Sequence, residues 1–120
     1  MAKSFVLLVQ WNGDGRIAAS PYLARMWFDF EWDAREAGRN RVKHGVAFAE
    51  ACTVFFDPLA SIVPDLRHSL DEGRLILFGH SHAGRLLAVM FAEHDPDNVR
   101  IFSARPVTRR ERQEYEETTR

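Results

Sequence analysis

Apolar and polar residues follow several different rhythms along this chain, and each change of rhythm marks an element. From Met26 the run WFDFEWD sets Trp27, Phe28, Phe30 and Trp32 beside polar residues at 29, 31 and 33, the pattern of an aromatic-rich strand. Asp33 is then a suitable N-cap for a helix over Ala34–Lys43, which Gly45 ends as a left-handed C-cap; basic residues in its last turn suit the helix dipole. Between Phe48 and Phe56 the apolar positions are 48, 51, 52, 55 and 56, a helical spacing that Asp57-Pro58 stops.

The second half is read the same way. Leu59–Pro64 reads as a strand, Asp65–Gly73 as a polar loop, Arg74–Gly79 as a strand and His80–Gly84 as a turn. Arg85–Ala92 is apolar enough for either helix or strand, Asp95–Asn98 is a turn by composition, and Val99–Ala104 is a strand. Thr108 with Glu111 three residues on forms a capping box for a charged helix reaching the C-terminus. With Arg85–Ala92 taken as a strand, the order is strand, two helices, a four-strand meander and a C-terminal helix. That is an α+β domain built on an antiparallel β-sheet. Residues 1–25 stand apart: SFVLLVQW could be a strand, but WNGDGR and ASPY are loop chemistry. The expected division is a poorly ordered N-terminal extension over 1–25 and one domain over 26–120.

Composition narrows the function classes. A chain of 120 residues, 46% apolar and 28% charged, has room for one core. No apolar run approaches the roughly 18 residues that span a bilayer, and Phe5–Val9 is too short for a signal-peptide core, so a cytoplasmic location is expected. The lone Cys52 cannot form an internal disulfide and sits among apolar neighbours, as a small buried hydrophobe does. A formal net charge of -1 argues against a protein that coats nucleic acid indiscriminately. Locally the balance differs: Arg35, Arg39, Arg41, Lys43 and His44 surround a single Glu36, and a second basic cluster runs from Arg100 to Arg112.

Three groups of residues carry candidate chemistry. Leu75–Gly84, LILFGHSHAG, looks like the strand and nucleophile elbow of an α/β-hydrolase with Ser81 at the elbow. The motif reads G-H-S-H-A, no suitable acid lies between Ser81 and His94, and the chain is too short for that sheet, so a hairpin is expected instead. His80 and His82, with His68 or His94, could offer metal ligands, but neither a Cys pair nor HExxH spacing supports a site, and no metal or cofactor is expected. Asp71-Glu72 and Asp95 with Asp97 suit exposed turns. Lys43-His44 is different, because a base that titrates near neutrality stands beside a lysine and three arginines. Such a set suits metal-independent RNA cleavage: a base takes the 2'-hydroxyl proton while cations stabilise the crowded phosphorane-like state. On spacing alone, a solvated basic helix end explains it equally well.

Taken in order, several signatures resemble the BrnT family of toxins from bacterial type II toxin-antitoxin modules. They are Phe30-x-Trp32-Asp33, Asn40-x-x-Lys43-His44-Gly45-Val46-x-Phe48-x-Glu50-Ala51, Asp57-Pro58, Arg74, Gly84-Arg85-Leu86-Leu87, Arg100-Ile101-x-Ser103-Ala104-Arg105 and Thr108-Arg109-Arg110-Glu111-Arg112 with Tyr115. The resemblance implies a RelE-like fold and an endoribonuclease that cleaves RNA and inhibits translation. It implies a cognate BrnA-like antitoxin that neutralises the toxin, in an assembly such as a heterotetramer, with DNA reached only through the antitoxin and no membrane partner. It also implies a site: His44, Lys43, Arg85 and Arg105 as catalytic residues, with Arg74, Arg39 and Arg41 binding substrate. Glu50 and Tyr115 are expected to be structural, and Trp27 and Trp32 to pack in the core. Two departures stand out. Relatives commonly carry a lysine four residues after the tryptophan, where this chain has Glu36, and residues 1–25 have no counterpart, so that Met26 would be a typical start and the extension a misassigned one. The reading from another class is a non-catalytic binding module, whose basic face grips an acidic antitoxin segment or DNA.

Overall fold

Phe30 and Trp32 are buried while Glu31 between them is half-buried, so the aromatic alternation forms the strand it predicts, β2 (Phe28–Asp33). The computed structural model describes residues 2–7, 28–68, 73–95 and 98–119. At the end of β2 the Asp33 carboxylate accepts hydrogen bonds from the backbone N–H groups of Arg35, at 2.7 Å, and Glu36, at 3.2 Å. These bonds start helix α1 (Ala34–His44), and Gly45 closes it at φ 69, its N–H donating to the Arg41 carbonyl. Helix α2 (Phe48–Thr53) tightens into a 3-10 turn over Val54–Phe56.

The remaining strands are β1 (Ala2–Leu7), β3 (Ser61–Pro64), β4 (Leu75–His80), β5 (Leu86–Asp95) and β6 (Asn98–Pro106), followed by helix α3 (Arg109–Thr118). They form a sheet in the order β1-β2-β6-β5-β4-β3. The meander from β3 to β6 is antiparallel, as expected, and Arg85–Ala92 takes the strand option. The α+β class and the antiparallel meander hold, and one pairing departs from the antiparallel expectation: β2 pairs with β6 in parallel, so the sheet is mixed. Residue alternation reports which face a side chain takes and says nothing of strand direction, while the two helices after β2 give a connection long enough for either direction. Within residues 1–25, Ala2–Leu7 pair antiparallel with β2, and 8–25 lie outside the described residues.

The core lies between one sheet face and the first two helices. Phe30, Phe48, Phe55 and Phe91 are at most 2% exposed. Phe55 meets Phe30 edge-on at 5.1 Å and Phe91 at 4.9 Å, and Trp32 meets Phe48 at 5.9 Å, so Trp32 packs in the core as expected. Cys52 is buried here, and burial pushes its thiol well above the ordinary range.

One irregularity in β6 decides what the other face presents. Met90 pairs with Ser103 but Phe91 pairs with Ile101, so Phe102 is the extra residue of a β-bulge. Before the bulge Val99 and Ile101 are buried; after it Ala104 is. In an unbroken strand Arg105 would share the core-facing side of Val99 and Ile101. The bulge turns it outward with Phe102.

Candidate functional site

Ile76 and Met90 alternate with the fully buried Leu77 and Val89, so they face away from the core, and there they floor a groove of about 760 Å³. Its walls bring together chain segments far apart in sequence. Lys43 and His44 come from the end of α1, Arg67 from a 3-10 turn over Leu66–His68 that follows β3, Arg74 from just before β4, and Phe102 and Arg105 from the bulged part of β6. A recess of about 330 Å³ shares Glu36, Lys43, His44, Phe102 and Ser103 with the groove and is bounded along α1 by Arg39 and Asn40.

Helix α1 is held at the correct height by Asn40. Its amide donates to the carbonyls of Val46, at 2.9 Å, and Ala104, at 2.8 Å, while its carbonyl oxygen accepts from the Ala104 N–H at 3.1 Å and the Ser103 hydroxyl at 3.2 Å. A buried amide with its hydrogen-bonding capacity filled fixes the helix against the bulge. Three and four residues on along the same helix, Lys43 and His44 therefore stand over Phe102 and Ser103.

The cations differ in how committed they already are. Among the described residues, Lys43, His44, Arg39 and Arg67 make no side-chain hydrogen bond or ion pair, so their donors are open to a ligand. Arg74 stacks its guanidinium over the Phe102 ring, 3.9 Å from the centroid. Arg105 is paired to Glu111 by two hydrogen bonds of 2.7 and 2.8 Å. That pairing raises the Arg105 pKa and holds the Glu111 carboxyl at about 2.

Arg85 and Arg41 are not among the residues lining the groove or the recess. Arg41 is exposed on α1. Arg85 makes two bonds to Glu50, Nε at 3.0 Å and Nη2 at 2.5 Å, and Nη2 also donates to the Gly45 carbonyl at 3.1 Å. Arg85 thereby braces the turn that follows His44. Together with the Ser81 hydroxyl it holds the Glu50 carboxyl below its ordinary range, against the opposing effect of burial.

The hydrolase-like stretch is the hairpin turn between β4 and β5. Ser81 is buried and donates to Glu50 at 2.7 Å. His80 contacts Asp57 at 3.7 Å and lies edge-on to Tyr115, while His82 lies 3.3 Å from the Thr53 hydroxyl. Asp57 accepts from the His80 N–H at 2.7 Å and from the Tyr115 hydroxyl at 3.0 Å, so Tyr115 ties α3 to the end of the 3-10 turn. Burial and the neighbouring Asp57 push the Tyr115 phenol up to about 12, away from any proton transfer near neutrality.

Sequence reasoning missed Arg67 and Phe102. Arg67 carries no local signal, being one arginine in a polar loop. Phe102 does carry one: the apolar rhythm Val99, Ile101, Ala104 slips by one residue, which is how a bulge reads in sequence.

Residues 32–111 match the family model described as "Ribonuclease toxin, BrnT, of type II toxin-antitoxin system". The fold is similar to that of the Brucella abortus ribonuclease toxin BrnT, known from a 1.1 Å crystal structure, with a TM-score of 0.52 and 22% identity over 65% of this chain and 94% of that one. No curated protein matches. Among the described residues, no helix is long and apolar enough to cross a membrane.

Proposed function

Because the chain belongs to the BrnT family of ribonuclease toxins of type II toxin-antitoxin systems, we propose that it cleaves RNA in the groove beside Lys43 and His44. The observation that carries this reading is the convergence on one groove of a histidine and a lysine from α1 with Arg67, Arg74 and Arg105 from distant parts of the chain. His44 accepts the proton of a 2'-hydroxyl as that oxygen attacks the adjacent phosphorus. The bond from phosphorus to the 5'-oxygen breaks, and the leaving oxygen takes a proton from Lys43 or from water. A 2',3'-cyclic phosphate and a 5'-hydroxyl result. Arg67 and Arg74 hold the phosphates on either side, where a guanidinium can make paired hydrogen bonds, and Arg105 meets the charge that develops on the scissile group. Arg39 extends the cationic path along α1.

In the cell this activity inhibits translation, and a BrnA-like antitoxin, assembled with the toxin in a complex such as a heterotetramer, neutralises it. Purified chain incubated with RNA in EDTA should give products with cyclic-phosphate and 5'-hydroxyl ends, and His44→Ala should lower the rate by about 10²–10⁴-fold. Folded wild-type protein that binds RNA and leaves it intact would replace the nuclease with a binding module.

A further inference from the structure

Glu36 is the anionic residue of the recess, and one of its carboxylate oxygens, Oε1, is buried without a hydrogen-bond partner. A buried carboxylate oxygen that accepts nothing is costly, and it marks a place where a donor is missing. Arg39 and Lys43 line the same recess, yet neither pairs with it. Phe102 supplies an apolar wall, with Arg74 stacked on its ring.

We propose that this recess is a base pocket in which Glu36 selects guanine in the RNA bound along the groove, a reading that rests on the groove being the RNA site. Single-stranded RNA exposes the Watson–Crick edges of its bases to protein groups. On that edge guanine presents two adjacent donors, N1–H and the N2 amino group, which match the two oxygens of one carboxylate once a side-chain rotation turns the buried Oε1 of Glu36 into the recess. Adenine and cytosine present one amino donor beside an acceptor nitrogen, and uracil one N–H between two carbonyls, so each leaves a carboxylate oxygen unmatched or facing an acceptor. Arg39 supplies a donor for guanine O6. Position also fits: Glu36 precedes Lys43 by two helical turns, about 10 Å along the axis, comparable to the reach of a nucleotide from its phosphate to the outer edge of its base.

The test compares oligoribonucleotides that differ only at the base next to the cleavage position, carrying guanosine, inosine or adenosine there. Wild-type protein should prefer guanosine over inosine, which lacks the N2 amino group, by at least about tenfold in kcat/KM. Glu36→Gln should reduce that ratio to about two or less, since an amide offers one acceptor where two are needed. The same ratios are read by equilibrium binding of uncleavable strands with a 2'-deoxy sugar at that position. Equal use of guanosine and inosine by wild-type protein, or an unchanged ratio in a folded Glu36→Gln variant, overturns the pocket. Guanine-selective binding without any cleavage would keep the pocket and overturn the nuclease reading.

Discussion

Arg105 and Glu111 face each other through two parallel hydrogen bonds, so this groove arginine is paired before any substrate arrives. Glu111 also accepts from the Thr108 N–H at 2.9 Å, which makes one carboxylate both the cap of α3 and the partner of Arg105. Its folded pKa of about 2 lies below the ordinary glutamate value of 4.5. A depressed carboxylate contributes stability that is present above pH 4.5 and is lost as pH falls towards 2. Allowing for solvent screening, the contribution is about 2 kcal/mol. Urea unfolding at pH 6 and pH 3 should show a larger loss for wild-type protein than for Glu111→Gln. Equal losses would mean that the pair contributes nothing.

Asn40 predicts a different defect. Removing its side chain orphans the Val46 and Ala104 carbonyls, the Ala104 N–H and the Ser103 hydroxyl at once. Asn40→Ala should destabilise the protein by about 3 kcal/mol. Asn40→Asp should be as damaging, because it keeps the acceptor, loses both donors and buries a charge. Thermal unfolding measures both, and a loss below 1 kcal/mol in either would show that water replaces the amide.

The element types and most boundaries were legible because local signals agree: Asp33 and Gly45 cap α1, Thr108 and Glu111 cap α3, and the apolar spacing separates α2 from the strands. The parallel β2–β6 pairing was not legible, since it depends on how the chain crosses over the sheet. Within the groove, adjacency in sequence revealed Lys43 and His44. Arg67 could be found only after folding brought its loop to the rim. Arg85 shows the opposite difficulty, because a cation in a family motif reads the same whether it meets phosphate or, as here, Glu50 and Gly45.

Arg67 is exposed at the rim of the groove and free of protein partners among the described residues. A phosphate contact there would carry no sequence information. Arg67→Ala should weaken RNA binding by a similar factor whatever the sequence, and reduce the slope of log K against log salt by about 0.7 for single-stranded RNA. An unchanged slope removes Arg67 from the path.

The division at residue 26 leads to a truncation test. In the sheet β1 is an edge strand whose neighbour is β2, and β2 keeps its pairing with β6 when β1 is removed. A chain begun at Met26 should therefore unfold cooperatively, with a Tm within about 5 °C of the full chain, a shift equivalent to roughly 1 kcal/mol. A non-cooperative melt would make β1 part of the domain.

Arg85 can act on RNA directly or through the end of α1, and the two roles separate experimentally. Its bonds to Glu50 and to the Gly45 carbonyl favour the second, since Gly45 follows His44 and any drift of that turn moves the imidazole. If Arg85 positions α1, then Arg85→Ala and Glu50→Ala should lower kcat to similar extents, and the double variant should be little worse than either. The pair should couple by about 1 kcal/mol in thermal unfolding as well as in activity. If Arg85 instead meets phosphate, Glu50→Ala releases its guanidinium towards the substrate, and KM should fall while Arg85→Ala alone loses activity. Measuring kcat and KM for the four proteins decides between these roles, because the two schemes give opposite signs for Glu50→Ala.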